Sequence, residues 1–141
     1  MPSPLITESL TSALKTLEIA FQKATDFEKS DPELFLVLRD GVIQRFEYTY
    51  EQAWKLMKRV MKNDFFPPEE IESLNRRDLF RRACDIGLIQ DPTPWFRYHD
   101  ARNETSHAYH NERAAAVYAL VPALVSDVAA LLRRLKELSA S

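Results

Sequence analysis

Apolar residues recur along this chain at intervals of three and four positions, the spacing that places side chains on one face of an α-helix. The first such segment predicts a helix over residues 6–27, and Asp31-Pro32 then breaks or restarts the helical course. The second segment predicts a helix over residues 34–62 that is irregular around Gly41. No segment shows the alternating pattern that is typical of a strand.

Capping residues and prolines mark two shorter helices in the middle of the chain. Phe65-Phe66-Pro67-Pro68 is the clearest loop. A helix is predicted over residues 76–86, because Asn75 is a suitable N-cap and Gly87 is well placed to end the helix. Asp91-Pro92-Thr93-Pro94 opens a fourth helix, with a polar cap and a proline in its first turn.

The fifth and longest helix is predicted over residues 111–138. Its apolar residues form a seam with alternating steps of four and three, which comprises Val117, Val121, Leu124, Val128, Leu131, Leu135 and Leu138. Such a seam is typical of bundle packing or of a coiled-coil-like contact, and its partner is either within the chain or in a second copy. Pro122 lies inside the segment and predicts a kink or a later start of the helix.

Five helices and a total of only two glycines predict an all-α fold, since hairpins and sheets require turn glycines. The 141 residues are most simply one domain, residues 1–141, which is long enough to bury a single core. The apolar surface of this helical bundle is broad enough for dimerisation.

The composition is that of a globular protein that acts inside the cell. The formal net charge of −2 excludes a molecule-wide attraction to nucleic acid, so any RNA contact requires a local basic patch. The single cysteine, Cys84, excludes an intrachain disulfide and fits a reducing cytosol. The N-terminal residues lack the pattern of a signal peptide, and the longest apolar run, residues 114–125, is shorter than the roughly 20 residues that span a bilayer. We therefore expect a soluble cytoplasmic protein without membrane contact.

Basic residues cluster at two places in the predicted helices. A stripe beside the apolar face of the second helix consists of Lys55, Lys58, Arg59 and Lys62, and we interpret it as a solvated face. The third helix carries the densest positive cluster, which consists of Arg76, Arg77, Arg81 and Arg82. This cluster is either an exposed face that neighbouring acidic residues partly neutralise, or a site for RNA phosphates or an acidic partner.

Residues 102–109 combine the two capacities that phosphodiester cleavage requires. Arg102 is a permanent cation that can fork onto a phosphate, and His107 exchanges protons near neutral pH. On an uninterrupted helix, residues five positions apart point about 140° away from each other. These two side chains therefore converge only if the helix ends near Ser106 or if two chains share the site. Tyr109 is seven positions after Arg102 and would lie on its face of such a helix.

The same spacing also arises by chance, with Arg102 in a salt bridge, His107 at a helix cap and Tyr109 at the edge of the bundle. A metal site is not predicted, because His99, His107 and His110 are the only histidines and no recognisable ligand set accompanies them. Two glycines exclude a Gly-rich phosphate loop, and no nucleophilic Cys/His or Ser/His signature is present. We therefore predict no metal ion and no cofactor.

The pattern Arg102-Asn103-x-x-x-His107-x-Tyr109 resembles the signature of the HEPN superfamily in its HepT-type branch, also described as the nucleotidyltransferase substrate-binding protein family. Residues 39–55, residues 81–89 with their Gly-Leu-Ile ending, and the Trp95 helix are similar to further blocks of that family. The resemblance covers essentially the whole chain. It implies an up-and-down bundle of four or five helices, HEPN-like, that forms a homodimer with the motif near the dimer cleft.

The resemblance further implies a metal-independent ribonuclease toxin whose antitoxin is a small, separate nucleotidyltransferase. Arg102 and His107 would be the catalytic pair that cleaves the RNA substrate, Asn103 would orient either of them, and Tyr109 would receive AMP from the partner enzyme. The sequence departs from the family after the motif, where His110-Asn111-Glu112 replaces the acidic residues that are common there. Two alternatives stay open: a non-catalytic subunit that presents a substrate or nucleotide to a nucleotidyltransferase, and a structural adaptor whose motif is inert.

Overall fold

The computed structural model describes residues 4–104 and 110–140, and in these two segments the chain forms seven α-helices and no strand. In chain order they are α1 (Pro4–Phe27), α2 (Pro32–Asp64), α3 (Pro68–Glu72), α4 (Arg76–Asp85), α5 (Pro92–Glu104), α6 (Asn111–Ala119) and α7 (Val121–Ala140). The prediction of an all-α, up-and-down bundle is confirmed, and the five predicted helices correspond to α1, α2, α4, α5 and the pair α6–α7.

Helices α1 and α2 form an antiparallel hairpin with a short turn. Asp31 caps α2 by accepting a hydrogen bond from the Leu34 amide at 3.2 Å. Further along, the buried hydroxyl of Thr49 donates to the carbonyl of Ala13 at 3.3 Å. Helix α2 runs through Gly41 without interruption for 33 residues, so the irregularity predicted there is absent. A glycine inside a helix costs only about 1 kcal/mol relative to alanine, and the packing of the neighbouring turns outweighs that cost.

The connection between α2 and α4 contains a helix that the sequence pattern does not predict. Residues 65–67 form the expected loop, but Pro68 begins α3, a helix of five residues. A single turn is too short for a periodic pattern of apolar positions, so its one buried residue, Ile71, provides no signal. The proline at the start and the acidic Glu69 and Glu70 in the first turn are nevertheless typical of a helix beginning.

The ends of α4 confirm the predicted capping residues. The Asn75 side chain accepts a hydrogen bond from the Asp78 amide at 2.8 Å. Gly87 follows the helix with a φ of +79°, a left-handed conformation that glycine adopts without the steric penalty of a side chain. Its carbonyl accepts a hydrogen bond from Nε of Arg134 at 3.0 Å, which joins this turn to α7.

The longest predicted helix is divided in two. Helix α6 ends at Ala119, and Pro122 occupies the first turn of α7, in agreement with the predicted break. The apolar seam continues across the break, and six of its members are buried, namely Val117, Val121, Leu124, Val128, Leu131 and Leu135. Since this single chain buries them, and α7 packs on α1 and α2, the partner of the seam lies within the bundle.

Residues 111–139, which include α6 and all of α7 except its last residue, are long and apolar enough by length and composition to cross a membrane. The longest uninterrupted apolar run, residues 114–125, therefore understates how apolar this segment is. A third of the most apolar window of the segment is buried inside the bundle. Core helices of soluble proteins have the same composition, because their apolar face packs against other helices.

A cluster of buried aromatic side chains holds α5 against its neighbours. The Phe80 ring of α4 lies 5.6 Å from the Trp95 ring of α5 and 6.3 Å from the Tyr50 ring of α2. Tyr98 packs edge-on against Trp95 at 5.4 Å, and its hydroxyl donates to Oδ2 of Asp127 in α7 at 2.5 Å. The Tyr98 ring also lies 6.4 Å from Phe46 of α2, so these contacts fix α5 to α2, α4 and α7 and position its last turn against α2.

Candidate functional site

The last turn of α5 carries Arg102, whose guanidinium is held by two carboxylates of α2. Its Nη2 lies 3.1 Å from Oε1 of Glu47, and its Nε lies 3.1 Å from Oε1 of Glu51. The two glutamates are four positions apart and therefore lie on the same face of α2. Arginine presents a rigid, planar fork of donors that matches this arrangement. Helix α2 thus fixes both the position and the orientation of Arg102.

Glu51 connects this ion pair to an indole ring. Its Oε2 accepts a hydrogen bond from Nε1 of Trp54 at 3.1 Å and lies 3.9 Å from Nζ of Lys55. The Trp54 ring in turn lies against the guanidinium of Arg76, whose Cζ is 3.2 Å from the ring centroid. The negative face of an aromatic ring attracts a cation at this distance. This contact brings α4 next to Arg102 and its two partners, Glu47 and Glu51, which together are called the Arg102 site.

His99 forms a second polar centre, one turn before Asn103. Its Nδ1 is hydrogen-bonded to the Tyr50 hydroxyl at 2.9 Å, and its Nε2 lies 3.5 Å from Nδ2 of Asn103. The sequence pattern indicated no role for His99, although positions 99, 102 and 103 share one helix face, and that spacing was the available signal. Tyr50 is 49 positions away along the chain, so its contact with His99 is visible only in the folded protein.

Burial is the main reason that the pKa of His99 lies below its ordinary value, and the positive charge of Arg76 lowers it further. Burial also raises the pKa of the Tyr50 hydroxyl, which therefore keeps its proton. A neutral histidine has one donor and one acceptor nitrogen. The ring can consequently join Tyr50 to Asn103 without carrying a charge.

Acidification should weaken the folded state through His99. Because its pKa is lower in the folded chain, the unfolded chain binds the additional proton first as the pH falls. The free energy of unfolding should decrease as the pH falls below about 6.5, the ordinary histidine value, and level off below the folded-state pKa. Thermal unfolding between about pH 8 and about pH 5 tests this, and His99→Gln should show a smaller decrease than the parent. Equal profiles for His99→Gln and the parent would contradict the assignment.

The four arginines of α4, predicted as one positive cluster, have separate contacts. Three of them pair with nearby carboxylates, in the contacts Arg77–Asp100 (3.5 Å), Arg81–Asp78 (2.9 Å) and Arg82–Glu70 (3.7 Å). Arg76 stacks on Trp54 and adjoins the Arg102 site. Much of the positive charge of the cluster is therefore balanced locally.

Two of the predicted site residues, His107 and Tyr109, lie outside the described residues, as does the helix end predicted near Ser106. His110 is the first residue of the second described segment and directly precedes α6. Its backbone is extended, with φ −82° and ψ 114°. Helices α5 and α6 are therefore separate elements rather than one continuous helix.

Potential metal ligands do not cluster in the described part of the chain. Within residues 4–104 and 110–140, no group of three or more His, Cys, Asp or Glu side chains could hold a metal ion. Cys84, the one cysteine, is half-buried and donates a hydrogen bond from Sγ to the carbonyl of Gln90 at 3.4 Å.

Comparison with known proteins finds relatives along almost the whole chain. Residues 6–137 match the family described as nucleotidyltransferase substrate binding protein like. The chain is 35% identical over 131 residues to a Haemophilus influenzae protein named probable ribonuclease HepT, a match that covers 91% of this chain and 90% of the relative.

Two solved structures share the fold. One, from Haemophilus influenzae, is described as revealing the fold of a substrate binding domain of a nucleotidyltransferase. It has a TM-score of 0.85 and 34% identity, over 92% of this chain and 98% of that chain. The other, a crystal structure from Thermus thermophilus, has a TM-score of 0.62 and 27% identity, over 84% of this chain and 98% of that chain.

Proposed function

Because the chain belongs to the nucleotidyltransferase substrate-binding protein family and one of its relatives is named probable ribonuclease HepT, we propose that it is a metal-independent endoribonuclease. The family resemblance inferred from the sequence is confirmed. We further propose that the protein is the cytoplasmic toxin of a toxin–antitoxin pair with a minimal nucleotidyltransferase. The observation that carries the proposal is Arg102, which two carboxylates of α2 hold in a defined orientation five residues before His107.

In the proposed reaction, His107 accepts the proton of an RNA 2′-hydroxyl, and that oxygen attacks the adjacent phosphorus. The bond between phosphorus and the 5′-oxygen breaks, and the leaving oxygen takes up a proton. Arg102 stabilises the negative charge that develops on the phosphate oxygens. The products are a 2′,3′-cyclic phosphate and a 5′-hydroxyl.

A homodimer completes the proposed site, since a second copy of His107 in the dimer cleft can protonate the leaving oxygen. Asn103 orients the catalytic groups in this proposal. Its amide lies 3.5 Å from His99, and the other ring nitrogen of His99 is bonded to Tyr50, so these contacts link Asn103 to the buried face of α2. The four arginines of α4 are the proposed contact surface for RNA or for the partner enzyme.

The partner enzyme controls the proposed activity by modifying Tyr109. The Tyr109 hydroxyl attacks the α-phosphorus of ATP, AMP becomes attached to the tyrosine oxygen, and pyrophosphate leaves. The attached AMP adds bulk and negative charge two positions after His107. It prevents cleavage because it occupies the space of the RNA and repels the RNA phosphates.

A second function is favoured by a different observation. The matched family and the Haemophilus influenzae structure are both described in terms of substrate binding for a nucleotidyltransferase. In that function, Arg102 binds a phosphate and His107 donates a hydrogen bond, and no bond in the ligand is broken. The fold and the motif serve equally well for this role, so only an activity measurement separates the two.

Incubation of end-labelled RNA with the purified protein in EDTA distinguishes the nuclease from the binding subunit. We expect the parent to produce cyclic-phosphate ends, and we expect Arg102→Ala and His107→Ala each to reduce the rate by about 100-fold or more. His110→Ala is the matched control and should cleave like the parent. Intact mass must first establish that the protein carries no AMP. An unmodified parent that leaves a broad RNA pool intact would refute the nuclease and support the binding subunit.

A further inference from the structure

A groove lined by basic residues follows α2 directly beyond the Arg102 site. Its walls are formed by Trp54, Lys55, Lys58, Arg59, Lys62, Asn63 and Glu72, which surround an open cavity of about 450 Å³. Four of these side chains are cationic and one is anionic, although the whole chain has a net charge of −2. Such a local concentration of positive charge on an acidic protein is characteristic of a site for a polyanion.

Carboxylates neutralise this groove only in part. Glu72 pairs with Lys58 at 3.3 Å and also with Lys62, and Glu51, which holds Arg102, lies 3.9 Å from Nζ of Lys55. Hydrogen bonds from Lys62 and Lys58 lower the pKa of Glu72, so one negative charge faces two positive charges. Arg59 is exposed and makes no ion pair with a residue of the two described segments. The groove therefore has an excess of positive charge at the protein surface.

An aromatic surface joins the groove to the Arg102 site. Trp54 lines the groove, stacks against Arg76 and donates a hydrogen bond to Glu51, the same carboxylate that holds Arg102. Indole rings and guanidinium planes are surfaces on which nucleic-acid bases stack without sequence preference. The other tryptophan, Trp95, is only 1% exposed, so Trp54 is the tryptophan that a ligand can reach.

We propose that this groove binds the single-stranded RNA that the protein cleaves, an inference that rests on the ribonuclease function proposed above. Phosphates of the strand contact Lys55, Arg59 and Lys62, and a base stacks on Trp54. Lys55 and Lys62 are seven residues apart on α2, which at 1.5 Å per residue is about 10 Å. A single strand of RNA pairs its phosphates with the cations and stacks a base on the indole, so the aromatic surface beside the cations favours RNA.

The salt dependence of RNA binding tests the charged part of this proposal. The full chain with His107→Ala, which is expected to slow cleavage by about 100-fold or more, is titrated with a short labelled single-stranded RNA at several KCl concentrations. Adding Lys55→Gln, Arg59→Gln and Lys62→Gln should weaken binding by on the order of 100-fold at 0.1 M salt. The slope of log K against log salt should become shallower by about 2, since each lost phosphate contact in a single strand removes about 0.7.

The matched control carries Lys15→Gln, Lys23→Gln and Lys136→Gln in the same background. These lysines are exposed on α1 and α7, and the change in net charge is identical. We expect the control to bind RNA within about threefold of its background protein, with an unchanged salt slope.

Tryptophan fluorescence tests the aromatic part independently. RNA binding should quench the emission of Trp54, and Trp54→Phe should lose this quenching while the buried Trp95 continues to emit. The protein with Lys55→Gln, Arg59→Gln and Lys62→Gln could bind RNA with the same affinity and salt slope as the lysine control, while the parent cleaves RNA. In that case the proposed RNA groove is wrong and the proposed ribonuclease function is unaffected. If the parent neither binds nor cleaves RNA, both proposals fail. Polyglutamate serves as a probe for an acidic protein. If it binds as tightly as RNA, and if RNA does not quench the emission of Trp54, the groove is instead a site for an acidic protein.

Discussion

Arg102→Lys is expected to reduce RNA cleavage almost as strongly as Arg102→Ala, with both variants slower than the parent by on the order of 100- to 1,000-fold in kcat. Lysine keeps the positive charge but presents one compact ammonium in place of the planar fork. It can approach Glu47 or Glu51, whereas the guanidinium reaches Oε1 of each at 3.1 Å. The orientation that α2 imposes on the cation is therefore lost together with its bidentate geometry.

The fold should survive this substitution. The side chains of Arg102, Glu47 and Glu51, which form the two ion pairs, are 26–35% exposed. Ion pairs near the surface contribute only about 0–1 kcal/mol to stability. The matched control is Arg97→Lys, the same change at an exposed position of α5, which should cleave like the parent. Circular dichroism and Tm verify folding, and initial rates on end-labelled RNA give kcat. A parent-like rate for Arg102→Lys would mean that charge alone matters and that the contacts with α2 do not position the residue.

The largest effect on stability is expected from Phe80→Ala, which should lower the free energy of unfolding by about 3–5 kcal/mol. The Phe80 side chain is fully buried, and its ring lies 5.6 Å from Trp95, 6.3 Å from Tyr50 and 6.3 Å from Phe96. The substitution leaves a cavity where α2, α4 and α5 meet, and a domain of this kind has only about 5–15 kcal/mol in total. Since α5 carries Arg102, we expect cleavage to weaken even at temperatures below the Tm of the variant.

Phe27→Ala is the matched control for this core substitution. It makes the same chemical change at the end of α1, where the side chain is 40% exposed, and should cost less than about 1 kcal/mol. Urea unfolding of the parent and the two variants gives the free energies directly. A cost for Phe80→Ala as small as that of Phe27→Ala would show that the aromatic cluster does not hold α5 in place.

Periodicity and capping predicted most of the helices because both are local properties of the chain. The cap of Asn75 and the break before Pro122 each depend on neighbours within a few positions, and both are present in the structure. The two deviations from the predicted helices have different causes. Helix α3 is a single turn without a measurable period, and Gly41 is a weak helix breaker that the packing of α2 overrides.

The candidate site was predictable only where its residues are neighbours in the sequence. Arg102 and Asn103 are adjacent in the motif and lie together in the last turn of α5. The catalytic roles of Arg102, Asn103 and His107 and the modification of Tyr109 stay predictions. The partners of Arg102 on α2 are 51 or more positions away, and no periodic pattern connects them to the motif. The basic stripe of α2 lies next to Trp54 by helical spacing, but its proximity to the Arg102 site follows from the packing of α5 on α2, so the sequence alone favours a solvated face.

The sequence by itself therefore determined the all-helical class, the approximate helix bounds and the motif that identifies the family, since each is encoded in residues a few positions apart. Only the tertiary structure decided that the seam of α6 and α7 is satisfied within one chain, and that α2 supplies the carboxylates that orient Arg102. The physical reason is that a hydrophobic face specifies burial without specifying a partner, and an ion pair depends on distance in space. Both are settled only when the bundle packs.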